Sequence, residues 1–282
     1  MHGLPSRIAA VMISTVVLFV LTVGLSVLWM TRGLDRQAQD QSMVQMEVAR
    51  TTLLSRVRLI TLDYAKWDAA HQAVLDHDVP WIFDNIGSSA MVGRAVQLAV
   101  LWGGPLDSPL GWRAGGGQEP RPDLMELGRL DAVAARLGEV DPLDGTEFFG
   151  WHHGDLYVLG AAEVETLESP SPADANDAAL LMGIHVSPDV LKSIADSLGV
   201  TGLAVRRHPA EGVPFLTLDG VGGTPVAYVS WDCPVPGTTM LLRMLPFLSL
   251  VLLAVSALAA MGLRLMHRGA RELVAAEHTA SN

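Results

Sequence analysis

Two uncharged apolar runs bracket this chain and limit what it can become. Ile8 to Met30, IAAVMISTVVLFVLTVGLSVLWM, carries no charged residue over 23 positions. Wound as an α-helix it is ~35 Å long, enough for the hydrocarbon core of a bilayer. Met244 to Leu263, MLPFLSLVLLAVSALAAMGL, is a second such run, ~30 Å long as a helix. A signal peptide has a shorter apolar region closed by a small-residue cleavage site. The first run leads instead into LWMTRGLD, which favours an uncleaved anchor. For the second, a core helix seldom needs so long an unbroken apolar stretch.

Two spans place both termini on one side. Arg7, Arg264, Arg268 and Arg271 lie at the terminal ends of the runs, and Arg32, Arg36 and Arg243 at their inner ends. The positive-inside rule then leans toward cytoplasmic termini. The segment between the runs holds 28 of the 30 acids and 15 of the 19 lysines and arginines, a net of −13. The expected organisation is a cytoplasmic N-terminus over 1–7, a span over 8–30, an outer domain over 32–243, a span over 244–263 and a cytoplasmic linker helix over 264–282. An acidic outer domain argues against nucleic acid as a partner. Cys233 is the single cysteine, so neither an intrachain disulfide nor a cysteine metal cluster is available.

Within the outer segment the first pattern is helical. Met43, Met46, Arg50, Leu53, Val57, Ile60, Tyr64 and Trp67 recur at spacings of three and four, a heptad-like stripe with one Arg. No Pro or Gly falls between Leu34 and Val79, so the spacing predicts one long helix. Its stripe packs either on its own domain or across a dimer seam. Pro80 should end or redirect that helix, and WIFDNIG reads as a short helical turn closed by Gly87. AVQLAVLWGG reads as a strand and DSPLGWRAGGGQEP as loop. PDLMELGRLDAVAARLG reads as a helix, with Pro122 near its start. EFFGWHHGDLYVLGAAEV reads as a hairpin turned at His153-Gly154-Asp155. ETLESPSPADANDA is loop, ALLMGIHVS a buried strand, and PDVLKSIADSLG a helix with Ser187 as N-cap. TGLAVRR is a strand, and PFLTLDG with TPVAYVSW forms a last hairpin around GVGG. The expected fold class is α/β (α+β): a PAS- or Cache-like extracytoplasmic sensor domain with a long N-terminal helix, flanked by two transmembrane helices.

Two stretches carry a resemblance. DYAKWDAAHQAVLDHDVPWIFDNIG resembles the opening motif of the CHASE sensor domain, type four, whose D-x-x-x-W-D signature and downstream Asn fall on Asp63, Trp67, Asp68 and Asn85. GGTPVAYVSWDCPVPGTTMLLRMLPFLSLVLLA is similar to the end of that domain, through Trp231, Pro234, Pro236 and Gly237. Cys233 stands where a longer residue is usual. The resemblance covers about residues 50–243. It implies a bacterial inner-membrane protein with a periplasmic sensor domain and a homodimeric state. It also implies a cytoplasmic output, most often GGDEF and EAL domains acting on cyclic di-GMP, otherwise a histidine kinase or a cyclase. RLMHRGARELVAAEHTASN looks like the helix leading into such an output, yet no GGDEF, EAL or kinase motif follows it. The chain is then either the sensor half of a longer protein or a stand-alone interaction protein.

The segment Thr61 to Gly87 concentrates chemistry-bearing residues. Asp63, Trp67 and His71 share one face if a single helix runs through them, as do Tyr64 and Asp68. One reading is a small-ligand pocket built from Asp63, Trp67, Asp68, His71, Trp81 and Asn85. The Trp rings would form its walls, and Asp68 and Asn85 would supply hydrogen bonds. The other is structural: Asp68 caps the turn at Trp81–Asn85 and Trp67 fills core. No paired acids with a cleft are visible, so hydrolysis is not expected. His71, His77, His152, His153, His185 and His208 are scattered, and Asp68 with His71 lacks a third metal ligand. His152 and His153 should point to opposite strand faces. No nucleophile triad or phosphate-binding Gly loop is present. The expectation is a sensor with no catalytic site, metal or cofactor in this chain. Its partners would be the lipid bilayer, an unknown small molecule or envelope protein, and a second copy of itself. Ligand binding would pass inward as a small piston or rotation of the helices.

Overall fold

The computed structural model describes residues 4–92, 95–121, 130–141, 144–166 and 178–280. The first part of the expected helix from Pro122, and most of the loop from Glu165, lie outside them. The chain divides into two units, one of residues 42–233 and one of residues 1–41 with 234–282.

In the first unit the helix α1 (Leu4–Ala65) contributes its C-terminal part. Short helical pieces follow: α2 (Asp68–Leu75), α3 (Val79–Ile82), a π-helical turn (Phe83–Gly87) and α4 (Ser88–Met91). Then come β1 (Leu98–Trp102), β2 (Leu110–Arg113), α5 (Leu130–Leu137), β3 (Thr146–His152), β4 (Asp155–Glu163) and β5 (Ala179–His185). The unit ends with α6 (Pro188–Leu198), β6 (Thr201–Arg206), β7 (Phe215–Asp219) and β8 (Pro225–Asp232). The fold is mixed α/β with a long N-terminal helix. Five strands form an antiparallel sheet in the order β2-β1-β5-β4-β3, and three more form a second in the order β6-β8-β7.

The larger sheet is buried on both faces, which is why LAVLW and ALLMGI read as unbroken apolar runs rather than alternating ones. Ala99, Leu101, Val158, Ala162, Leu180 and Met182 face α1 and the smaller sheet. Their neighbours Leu98, Val100, Leu159, Ala161 and Leu181 pack with Val133 and Leu137 of α5. Against β4, α1 lies backbone to backbone. A Cβ on Gly160 would stand 2.7 Å from Thr61 Oγ1 and 2.9 Å from the Val57 carbonyl, and Thr61 donates to the Gly160 carbonyl at 3.3 Å. The heptad-like stripe of α1 is spent here: Met46 and Val57 are buried, and Leu53, Ile60 and Tyr64 pack on the same core. Arg50 is accommodated at the margin, where Glu47 accepts from its Nε and Nη2 at 3.1 and 2.5 Å and raises its pKa. Most of the stripe therefore packs on its own domain.

The second unit holds the N-terminal part of α1 and the helix α7 (Pro236–Ala280). Both are long and apolar enough to cross a membrane, and their apolar windows are almost wholly exposed, 6% and 0% buried.

Candidate functional site

The helix expected to run through to Val79 breaks at Lys66–Trp67, and the cause is tertiary. The Ala65 carbonyl accepts from the Glu165 amide at 3.2 Å. Lys66, its side chain only 8% exposed, reaches the Glu165 carboxylate at 3.2 Å. Trp67 then takes an extended conformation (φ −87, ψ 117) and precedes α2. Asp63 on α1 and His71 on α2 therefore do not share a helix face with Trp67, contrary to the sequence reading. Asp68 sits in the first turn of α2, where its charge suits the helix dipole.

Nor does Pro80 end a helix. α2 closes before it, in a six-residue C-terminal motif: Asp78 N donates to the Ala73 carbonyl at 2.9 Å and His77 N to that of Val74 at 3.2 Å. His77 supplies the left-handed residue of this motif, at φ 54, a place that glycine usually holds. Pro80 instead lies in the first turn of α3, whose N-cap is Asp78. The Asp78 carboxylate accepts from Trp81 N at 3.1 Å. The cap assigned to Asp68 from sequence thus belongs to Asp78. Gly87 does not close the turn either, since the chain passes from the π-helical turn straight into α4.

Of the six candidate residues, the structure unites Trp67 and Trp81, whose ring centroids are 5.1 Å apart at 54°. Asn85 is tied to the same point, donating from Nδ2 to the Trp81 carbonyl at 2.9 Å. Trp67 is 42% exposed, so it does not fill core. Asp63 and Asp68 are exposed, and His71, Trp81 and Asn85 half-buried. The arrangement is a surface aromatic pair on a joint of short helices. The two rings are inclined to each other rather than coplanar, and Asp68 and His71 lie on the adjoining first turns of α2.

Other titratable groups gather at one end of the larger sheet. His152 and His153 do not diverge as strand alternation suggested. His153 leaves the strand at φ 47, and the two rings meet at 4.2 Å. Nearby His185 lies 3.6 Å from an Asp155 oxygen and 5.2 Å from the Tyr157 ring. Burial first, then the Asp155 charge, pushes the Tyr157 pKa up. Among the described residues no group of three or more His, Cys, Asp or Glu is placed to hold a metal ion. An apolar cavity of about 40 Å³ lies between α1, α6 and the smaller sheet, lined by Met46, Leu53, Ile194 and Val205 among others. That is well short of the ~150 Å³ that takes up a benzene ring.

Sequence reasoning missed His77, Asp78 and Lys66. Only Asp78 had a local signal, an Asp two residues before a Pro in a helix start. No protein-family model matches the chain, and no curated protein sequence matches it.

Proposed function

We propose that this chain is a two-span membrane receptor whose segment between the spans is a PAS- or Cache-like sensor domain outside the cytoplasm. The observation that carries the reading is the pair of exposed apolar helices bracketing a folded α/β unit. Exposed side chains such as Leu18, Phe19, Trp29, Phe247, Leu250 and Leu253 have a large hydrophobic cost in water and none in lipid. Three hydroxyls along these helices bond back to the preceding turn, an arrangement that suits lipid: Thr15 donates to the Val11 carbonyl, Thr22 to Leu18 and Ser249 to Leu245. The five-stranded antiparallel sheet with a long helix against it supports the sensor architecture. The Trp67–Trp81 face is the proposed site of a small ligand or envelope partner. In this reading the binding event acts on α1, and α7 conveys it to a cytoplasmic output of the cyclic di-GMP kind.

Cysteine labelling in intact cells tests the placement. With Cys233→Ser as background, Asp189→Cys on α6 should react with a membrane-impermeant maleimide without permeabilisation. Arg264→Cys should react only after it. The reverse pattern, or equal labelling of both, would sink the proposed topology. Trp67→Ala and Asp68→Ala then test the site: lost binding in a folded domain supports it, and intact binding removes it.

A further inference from the structure

The N-terminus of α7 is capped from far away in the chain. The first N–H groups of a helix have no partner inside it, and a side-chain oxygen just before the helix usually accepts from them. Here the preceding residues are Pro234 and Val235 and the first helical residue is Pro236, none with a side-chain oxygen. Asp35 of α1 supplies the acceptor. Gly237 N donates to Asp35 Oδ1 at 2.7 Å, and Thr238 N to both carboxylate oxygens at 3.3 and 3.2 Å. The Thr238 hydroxyl donates to Oδ2 at 2.5 Å. One turn earlier on α1, the backbones themselves touch: a Cβ on Gly237 would collide with the Thr31 carbonyl. Only glycine allows that approach. The Thr238 hydroxyl, and then the two amides, also hold the Asp35 carboxyl below its ordinary pKa, so the charge that faces the helix dipole persists further into the acid range than that of an ordinary Asp.

We propose that Asp35, Thr31, Gly237 and Thr238 form a clasp that locks α1 and α7 in register beside the ends of their apolar runs. Sliding one helix by a single residue moves it ~1.5 Å. That displacement stretches the whole set of bonds, takes the longer Thr238 amide contacts to the limit of hydrogen-bond length, and drives the Gly237 backbone against Thr31. At this level the two helices move as one body. A change conveyed along them then takes the form of a pivot or joint displacement about the clasp, because a piston of one helix past the other works against these contacts. The mode of transmission rests on the receptor reading; the lock itself does not.

Double electron–electron resonance on the full chain in lipid nanodiscs tests the lock. Spin labels at Leu25→Cys and Leu245→Cys, in a Cys233→Ser background and diluted with unlabelled chain, report the α1–α7 distance within one molecule. Wild type should give one narrow distribution. Asp35→Asn should keep it, because the amide oxygen can still accept from Gly237 N and Thr238 N as Oδ1 does, and the Thr238 hydroxyl can turn to accept from the new NH2. Asp35→Ala should broaden it, and Gly237→Ala should shift it by forcing the backbones apart. Fluorescence of the buried Trp112 and Trp231 verifies folding. If Asp35→Ala does not fold, the Gly237→Ala comparison decides. Distributions identical to wild type in the folded variants would overturn the clasp. A clasp that holds while maleimide labelling shows both apolar helices in water would remove the receptor reading instead.

Discussion

His77 occupies a left-handed backbone position at the end of α2 where a β-carbon is strained. The cost of such a conformation is about 1–2 kcal/mol for a non-glycine residue. His77→Gly should therefore raise stability by up to about 1 kcal/mol, read as a higher midpoint in urea unfolding. A fall would mean that the exposed imidazole contributes more than its strain removes, and strain retained at a surface joint points to use. Its neighbours separate cap from ornament. Asp78→Ala removes the acceptor for Trp81 N and should cost about 1 kcal/mol. Asp68→Ala, exposed in a first turn, should stay within about 0.5 kcal/mol. Equal losses from both would return a capping role to Asp68.

At the scale of elements, what could be read from sequence was what is locally encoded. Ser187 accepts from Val190 N as the N-cap of α6, Gly199 ends that helix at φ 65, and both hairpins turn where Gly and polar residues cluster. What escaped depends on distant partners. Nothing near Lys66 announces a helix break; the signal is Glu165, 99 residues away. β2 hid in a Gly-rich loop because its four residues (Leu110–Arg113) become a strand only beside β1. The candidate site was half legible for the same reason. The two tryptophans were singled out by residue type, but the face they share arises from the break that the sequence did not show. Packing of α1 on β4 gives the element-scale prediction. Gly160→Ala overpacks the contact with Val57 and Thr61 and should cost about 1–3 kcal/mol. Amide hydrogen exchange should rise in α1 around Thr61 and in β4. Unchanged exchange there would mean that the helix is not seated on the strand through this glycine.

For the whole molecule the question is what covers the apolar faces of α1 and α7. Two covers are physically possible, lipid or other protein, and a charge placed on the face separates them. Leu253 lies in the middle of the second apolar run and is 69% exposed. Lys there replaces a residue worth about −0.5 kcal/mol with one worth about +3 kcal/mol on the insertion scale. The inserted fraction of the second helix should drop, and Arg264→Cys should gain labelling by impermeant maleimide in intact cells. Val48 is similarly exposed, at 60%, but lies on α1 within the α/β unit, where the receptor reading places water. Val48→Lys should leave labelling unchanged. If lipid is the cover, the two lysines act in opposite ways because the solvent differs at the two places. If protein is the cover at both, each lysine should disturb assembly and neither should alter topology. A matched response to the two substitutions would therefore speak against the membrane, and a topology change confined to Leu253→Lys would speak for it.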